Sequence, residues 1–177
     1  MAECNGQPEL QLIEGVLPEG AAVLDIGCGN GRLSTRRLAA RYRTVGLDMS
    51  QARLDEARQN VPSAVFVRGD VFEHGFPSNF FDGVVSFHLL YLLPVARHRP
   101  FFERVHQWLK PGGYFLATVA VRDEKYHENL LSFQDYEGLM NDAGFTLLEP
   151  SGPAHGLRDG YFPAEAYPVL FAQKKGP

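Results

Sequence analysis

Val23-Leu24-Asp25-Ile26-Gly27-Cys28-Gly29-Asn30-Gly31-Arg32-Leu33 is where the chain passes from one periodicity to another. The apolar run 21–26 predicts a buried strand. Glycines at 27, 29 and 31 break it, and Leu33 and Leu38 resume at helical spacing. Strand, glycine turn and helix in succession let backbone approach a ligand closely, because glycine has no Cβ and tolerates positive φ. Val45-Gly46-Leu47-Asp48 sharpens the reading, as a second apolar strand ending in an acid 21 residues after Gly27. In a nucleotide-binding βαβ unit, that is where a carboxylate meets ribose hydroxyls.

Outward from this unit, strands and helices alternate. The spacing predicts a short N-terminal helix within 1–20, then strand 21–26, helix 31–41, strand 44–48, helix 51–59 and strand 64–68. Ser50 is placed to cap the second of these inner helices, and Pro62 closes it. A fourth strand, Phe81–Ser86, leads to a helix over Leu92–Leu109 with Pro100 near its first turn. Lys110-Pro111-Gly112-Gly113 reads as a tight turn into strand Tyr114–Val121. Ser132 and Asp135 read as a capping box, with Gly144 at the far end of that helix. Strands 145–149 and 167–173 follow with no helix between them. The expectation is an α/β fold, one domain over 1–177, built on a seven-stranded mixed sheet with helices on both faces and an antiparallel last strand.

Composition narrows the classes. Against 21 acidic residues stand 17 Lys and Arg, for a net charge of −4, and no basic run tracks a phosphate backbone, so nucleic acid is not the expected partner. Two cysteines, Cys4 and Cys28, are too few for a disulfide framework, and the six histidines form no metal-ligand pattern. No apolar stretch approaches membrane-spanning length and no leader is evident, so the cytoplasm is the expected compartment.

The glycine spacing selects the ligand. A dinucleotide fingerprint would put its third glycine at position 32, which is Arg32. The order Asp25-x-Gly27-x-Gly29-x-Gly31 instead resembles class I S-adenosylmethionine-dependent methyltransferases, of the small-molecule, ubiquinone/menaquinone C-methyltransferase-like kind. The resemblance spans 21–149 and the last strand, and it implies a Rossmann-like sheet. It also implies that Gly27, Cys28, Gly29 and Gly31 wrap the methionine portion of the cofactor while Asp25 holds its ammonium. Asp48 would take the ribose hydroxyls and Met49 the adenine face, with Asp70 and Val71 at the adenine amine and Ser86 and Phe87 lining the reacting methyl. The product would be S-adenosylhomocysteine. Singly, each residue has a plainer reading: Asp48 and Asp70 could merely cap a helix and a turn.

Methyl transfer from a sulfonium needs placement more than acid–base machinery, so the absence of a triad is no objection. His88, just past the fourth strand, is the candidate base, or else a half-buried histidine bonded to backbone; Tyr91 beside it could orient substrate or pack. His155, Arg158, Tyr161 and Phe162 lie in the 150–167 connection, a candidate substrate wall or lid. His74, His98, His106 and His127 read as surface or packing residues. Ser86-Phe87-His88-Leu89 stands where DNA and RNA amino-methyltransferases carry Asn/Asp-Pro-Pro-aromatic, and no Pro-Cys pair exists for cytosine C5 chemistry. A small acceptor remains, methylated on O, N or C. The competing expectation is a non-catalytic cofactor-binding subunit acting through a partner protein. An open pocket edge would also suit a homodimer.

Overall fold

The computed structural model describes residues 9–119, 131–149 and 169–176. Its sheet is organised around β1 (Ala22–Ile26), every residue of which is buried. Parallel to β1 run β2 (Arg43–Asp48) on one side and β4 (Phe81–Ser86) on the other. Outside these lie β3 (Val65–Arg68), next to β2, and β5 (Leu109–Thr118), next to β4. The full order is β3-β2-β1-β4-β5-β7-β6, with β6 at Phe145–Leu147 and β7 at Val169–Lys174. Chain order reverses between β1 and β4, and a crevice opens at the carboxyl ends of strands beside such a switch point.

Alternation along β1 sorts the helices onto two faces. Leu24 and Ile26 join the core with Phe101, Phe102, Val105 and Trp108 of α4 (His98–Trp108) and Tyr136 and Met140 of α5 (Phe133–Asp142). Val23 points the other way, to Leu10 and Ile13 of α1 (Leu10–Val16) and Leu38 of α2 (Thr35–Ala39). Leu54 and Ala57 of α3 (Gln51–Asn60) pack on Phe66 and Cys28. Close approach at Gly83 seats α1, since a Cβ there would lie 2.6 Å from Leu17 Cδ1. The capping box at Ser132 forms as expected, with Asp135 N–H donating to Ser132 Oγ and Ser132 N–H donating to Asp135 Oδ2.

Three expectations need correction. Helix α2 occupies Thr35–Ala39 rather than 31–41, because Gly31 has φ +77 and cannot be helical. Helix α4 starts at His98, not Leu92: Leu93, preceding Pro94, is held extended (φ −92, ψ 139), and two short 3₁₀ turns replace the expected helical start. The expected tight turn at Lys110–Gly113 is taken into β5, whose pairing with β4 shifts register between Phe81 and Gly83. The antiparallel last strand forms as expected: β7 pairs antiparallel with both β5 and β6 and is inserted between them, so the edge strand is β6. Among the described residues, no helix is long and apolar enough to cross a membrane.

Candidate functional site

The glycine turn is stitched to the end of β2. Gly27 and Cys28 N–H groups both donate to Leu47 O (2.8 and 3.2 Å), and Gly29 N–H donates to Asp48 Oδ2 at 2.9 Å. The other oxygen of that carboxylate, Oδ1, accepts from Ser50 N–H at 2.9 Å, and Ser50 in turn caps α3. One carboxylate therefore joins the turn to the helix, and each oxygen keeps acceptor capacity, since a carboxylate offers about four lone-pair sites. Gly27, Gly29 and Gly31 all have left-handed φ (+74, +56 and +77), which explains why the turn needs glycine at alternate positions.

Two adjoining hollows open over this turn, of about 290 and 550 Å³. Both are lined by Gly27, Asp48, Arg53, Leu89 and Leu92. The smaller adds Met49, Asp70, Val71 and Phe72; Asp70 Oδ1 accepts from Phe72 N–H at 2.8 Å, which fixes that wall. The larger adds Cys28, Gly29, Phe87, His88 and Tyr91. His88 is a non-glycine residue in the left-handed region (φ +56), held by its N–H donating to Thr118 Oγ1 at 2.9 Å. Such backbone strain concentrates at functional sites. Its ring lies 6.3 Å from that of Tyr91, edge to face.

Three residues expected at the ligand sit elsewhere. Asp25 is 1% exposed and lines neither hollow. It shares the face of Val23, so it meets α2, where Ser34 Oγ and Thr35 Oγ1 both donate to its Oδ2 at 2.6 Å. Burial pushes its carboxyl up to about 6, opposed by those two bonds, with the nearby Asp48 charge adding to the rise. Ser86 is fully buried and donates to Ile26 O, bracing β4 to β1 beneath the crevice. Gly31 faces α3, where an added Cβ would come within 3.2 Å of Val61 Cγ2. Cys28 lines the larger hollow, but its Sγ is wedged where a Gly46 Cβ would lie 2.8 Å away, and burial raises its thiol well above the ordinary range. That is the opposite of a reactive thiolate. His155, Arg158, Tyr161 and Phe162 lie outside the described residues, as does the whole 150–167 connection.

Sequence reasoning missed Arg53 and the leucine wall Leu89, Leu92 and Leu93. The signal was present in Leu89-Leu90-Tyr91-Leu92-Leu93 running into Pro94, which marks a non-helical apolar turn right after β4. Among the described residues, no cluster of His, Cys, Asp and Glu could hold a metal ion.

A doubly wound sheet with a glycine turn after β1 and an acid at the end of β2, both lining hollows at the switch point, defines a nucleotide-type ligand-binding α/β domain. The sequence matches the family described as methyltransferase domain over residues 23–113, a little over half its length, and the chain belongs to that family. It is 36% identical over 107 residues to a fatty-acid O-methyltransferase of Mycolicibacterium smegmatis, covering 58% of this chain but 38% of that one. An uncharacterized methyltransferase of Synechocystis is 34% identical over 156 residues, with 79% and 74% of the two chains covered. The fold is similar to that of a 1,6-didemethyltoxoflavin-N1-methyltransferase from Burkholderia thailandensis solved with S-adenosylhomocysteine. There the TM-score is 0.78 at 22% identity, over 98% of this chain and 80% of that one.

Proposed function

We propose that the chain transfers a methyl group from S-adenosylmethionine to O, N or C of a small-molecule acceptor. The observation that carries this is Asp48: it lines both hollows while its carboxylate pins the glycine turn to α3. A cofactor with ribose hydroxyls needs such a preoriented acceptor. Gly27 and Gly29 add no side chain of their own beside it, at a turn their left-handed φ allows. The residues present therefore fit the group. When bound, the cofactor supplies a methyl carbon already activated for displacement.

The chain's own residues supply placement. Met49, Val71 and Phe72 give the smaller hollow apolar walls for an adenine ring, and Asp70 keeps Oδ2 for its amine. His88 and Tyr91 stand at the larger hollow, where an acceptor would enter, and His88 is the group able to take its proton. Small acceptors are supported by the names of the mycobacterial relative and of the Burkholderia neighbour. We place the protein in the cytoplasm, and a homodimer covering the open edge is supported by the exposed Met49 and Leu92 at the rim; a monomer in sedimentation would remove that last element.

Incubation with methyl-labelled S-adenosylmethionine and a panel of small carboxylic acids, N-heteroaromatics and enols tests the reading. Labelled product from one class, read by mass spectrometry, is the expected result. Cofactor binding with no product from any class would turn the chain into a non-catalytic binding subunit.

A further inference from the structure

We propose that His98 is a positioning residue that fixes the leucine wall of the cofactor hollow by donating one N–H between two backbone carbonyls of the turn that carries it. The wall lies in 89–93, outside both sheet and long helix; within it Leu89 O and Leu90 O accept from Leu92 and Leu93 N–H, and a carbonyl's second lone pair stays open to a donor from another element. His98, the first residue of α4, is fully buried, with Nε2 3.0 Å from Leu90 O and 3.3 Å from Leu93 O. Carbonyls only accept, so Nε2 carries the hydrogen and Nδ1 the lone pair. That Nδ1 is buried with no hydrogen-bond partner. An unsatisfied buried polar atom is costly, and an apolar side chain of the same bulk would avoid it. The bonds to the leucine turn are what the imidazole offers in exchange.

Its surroundings hold the ring in place. Tyr136 of α5 stacks on it at 5.6 Å and 18°, and burial favours the neutral form, which keeps a single donor. The wall it fixes is tight against the glycine turn: Leu89 side-chain atoms lie 3.5 Å from where a Gly27 Cβ would be. The facing wall hangs from the same element. The Arg97 guanidinium lies 4.7 Å over the Phe72 ring, and Arg104 donates to Val71 O and His74 O. The segment 97–104 thus braces both sides of the smaller hollow, and His98 is its link to the leucine side.

The proposal rests on the cofactor reading only in calling this hollow the cofactor's, so the experiment has two arms. Three substitutions are compared with wild type: His98→Leu keeps bulk without the donor, His98→Gln puts an amide N–H where Nε2 was, and His98→Asn cannot reach the carbonyls. The first arm is amide exchange at Leu92 and Leu93, whose N–H groups donate within the turn to Leu89 O and Leu90 O. The second is calorimetric affinity for S-adenosylhomocysteine, well below the melting temperature. We expect His98→Leu to speed exchange at those two amides at least tenfold and weaken binding at least fivefold. His98→Gln should keep both within twofold. If His98→Leu does not fold, His98→Asn replaces it. A lowered melting temperature with turn exchange and affinity unchanged would make His98 an ordinary core residue. Equal losses in His98→Gln would assign the effect to ring packing, and either result overturns the proposal. Should wild type bind no S-adenosylhomocysteine, that failure belongs to the cofactor reading, and the exchange arm alone decides whether His98 holds the wall.

Discussion

Replacing Asp25 by asparagine should abolish one specific piece of the protein's pH-dependent stability. Asp25 is 1% exposed, and burial raises its carboxyl from 3.8 to about 6. The folded state then holds this proton more tightly than the unfolded chain. The resulting stabilisation is complete below 3.8 and is lost as pH rises through about 6. At about 1.4 kcal/mol per tenfold in proton affinity, the loss amounts to about 3 kcal/mol. Other carboxylates titrate in the same range, so the informative quantity is the difference between wild type and Asp25→Asn. Asparagine Oδ1 keeps both acceptances from Ser34 and Thr35, while its amide adds donors to a dry site, so only the pH dependence of the difference is assigned. Urea unfolding from about pH 3.5 to about 7.5 should show wild type losing about 3 kcal/mol relative to the variant as pH rises. A difference flat to within about 0.5 kcal/mol would refute the buried-carboxylate argument.

Asp48→Ala should weaken S-adenosylhomocysteine binding at least about tenfold, roughly 1.4 kcal/mol, read by calorimetry; unchanged affinity would remove Asp48 from the ribose. His88→Asn keeps a side chain that tolerates φ +56 while deleting the imidazole. It should lower kcat by about a hundredfold with cofactor affinity intact, and full activity would reduce His88 to scaffold. Lys174 Nζ donates to Asn79 Oδ1, His106 O and Leu109 O, each at 2.8 Å, in a largely buried site. Lys174→Met leaves those acceptors without their donor and should cost about 2–4 kcal/mol in chemical denaturation; a loss under about 0.5 kcal/mol would show that water replaces the ammonium.

What could be read from sequence were features with a local physical cause. Alternate glycines announce left-handed φ, an apolar strand ending in acid announces Asp48, and Ser132 with Asp135 announces a cap. Asp25 was half legible: its place in the glycine motif suggested a ligand contact. Period-two alternation sets it on the face of Val23, toward α2 and away from the hollows. His98 and Lys174 were not legible, because their partners lie on other elements and no spacing encodes a carbonyl waiting for a donor. The insertion of β7 between β5 and β6 is likewise a pairing choice made in three dimensions.

The most direct test of the account is calorimetric titration of the purified protein with S-adenosylhomocysteine, with NADH as control. Micromolar binding of the first and none of the second is expected, since Arg32 stands where a dinucleotide motif needs its third glycine. Binding of NADH, or of neither ligand, would contradict it.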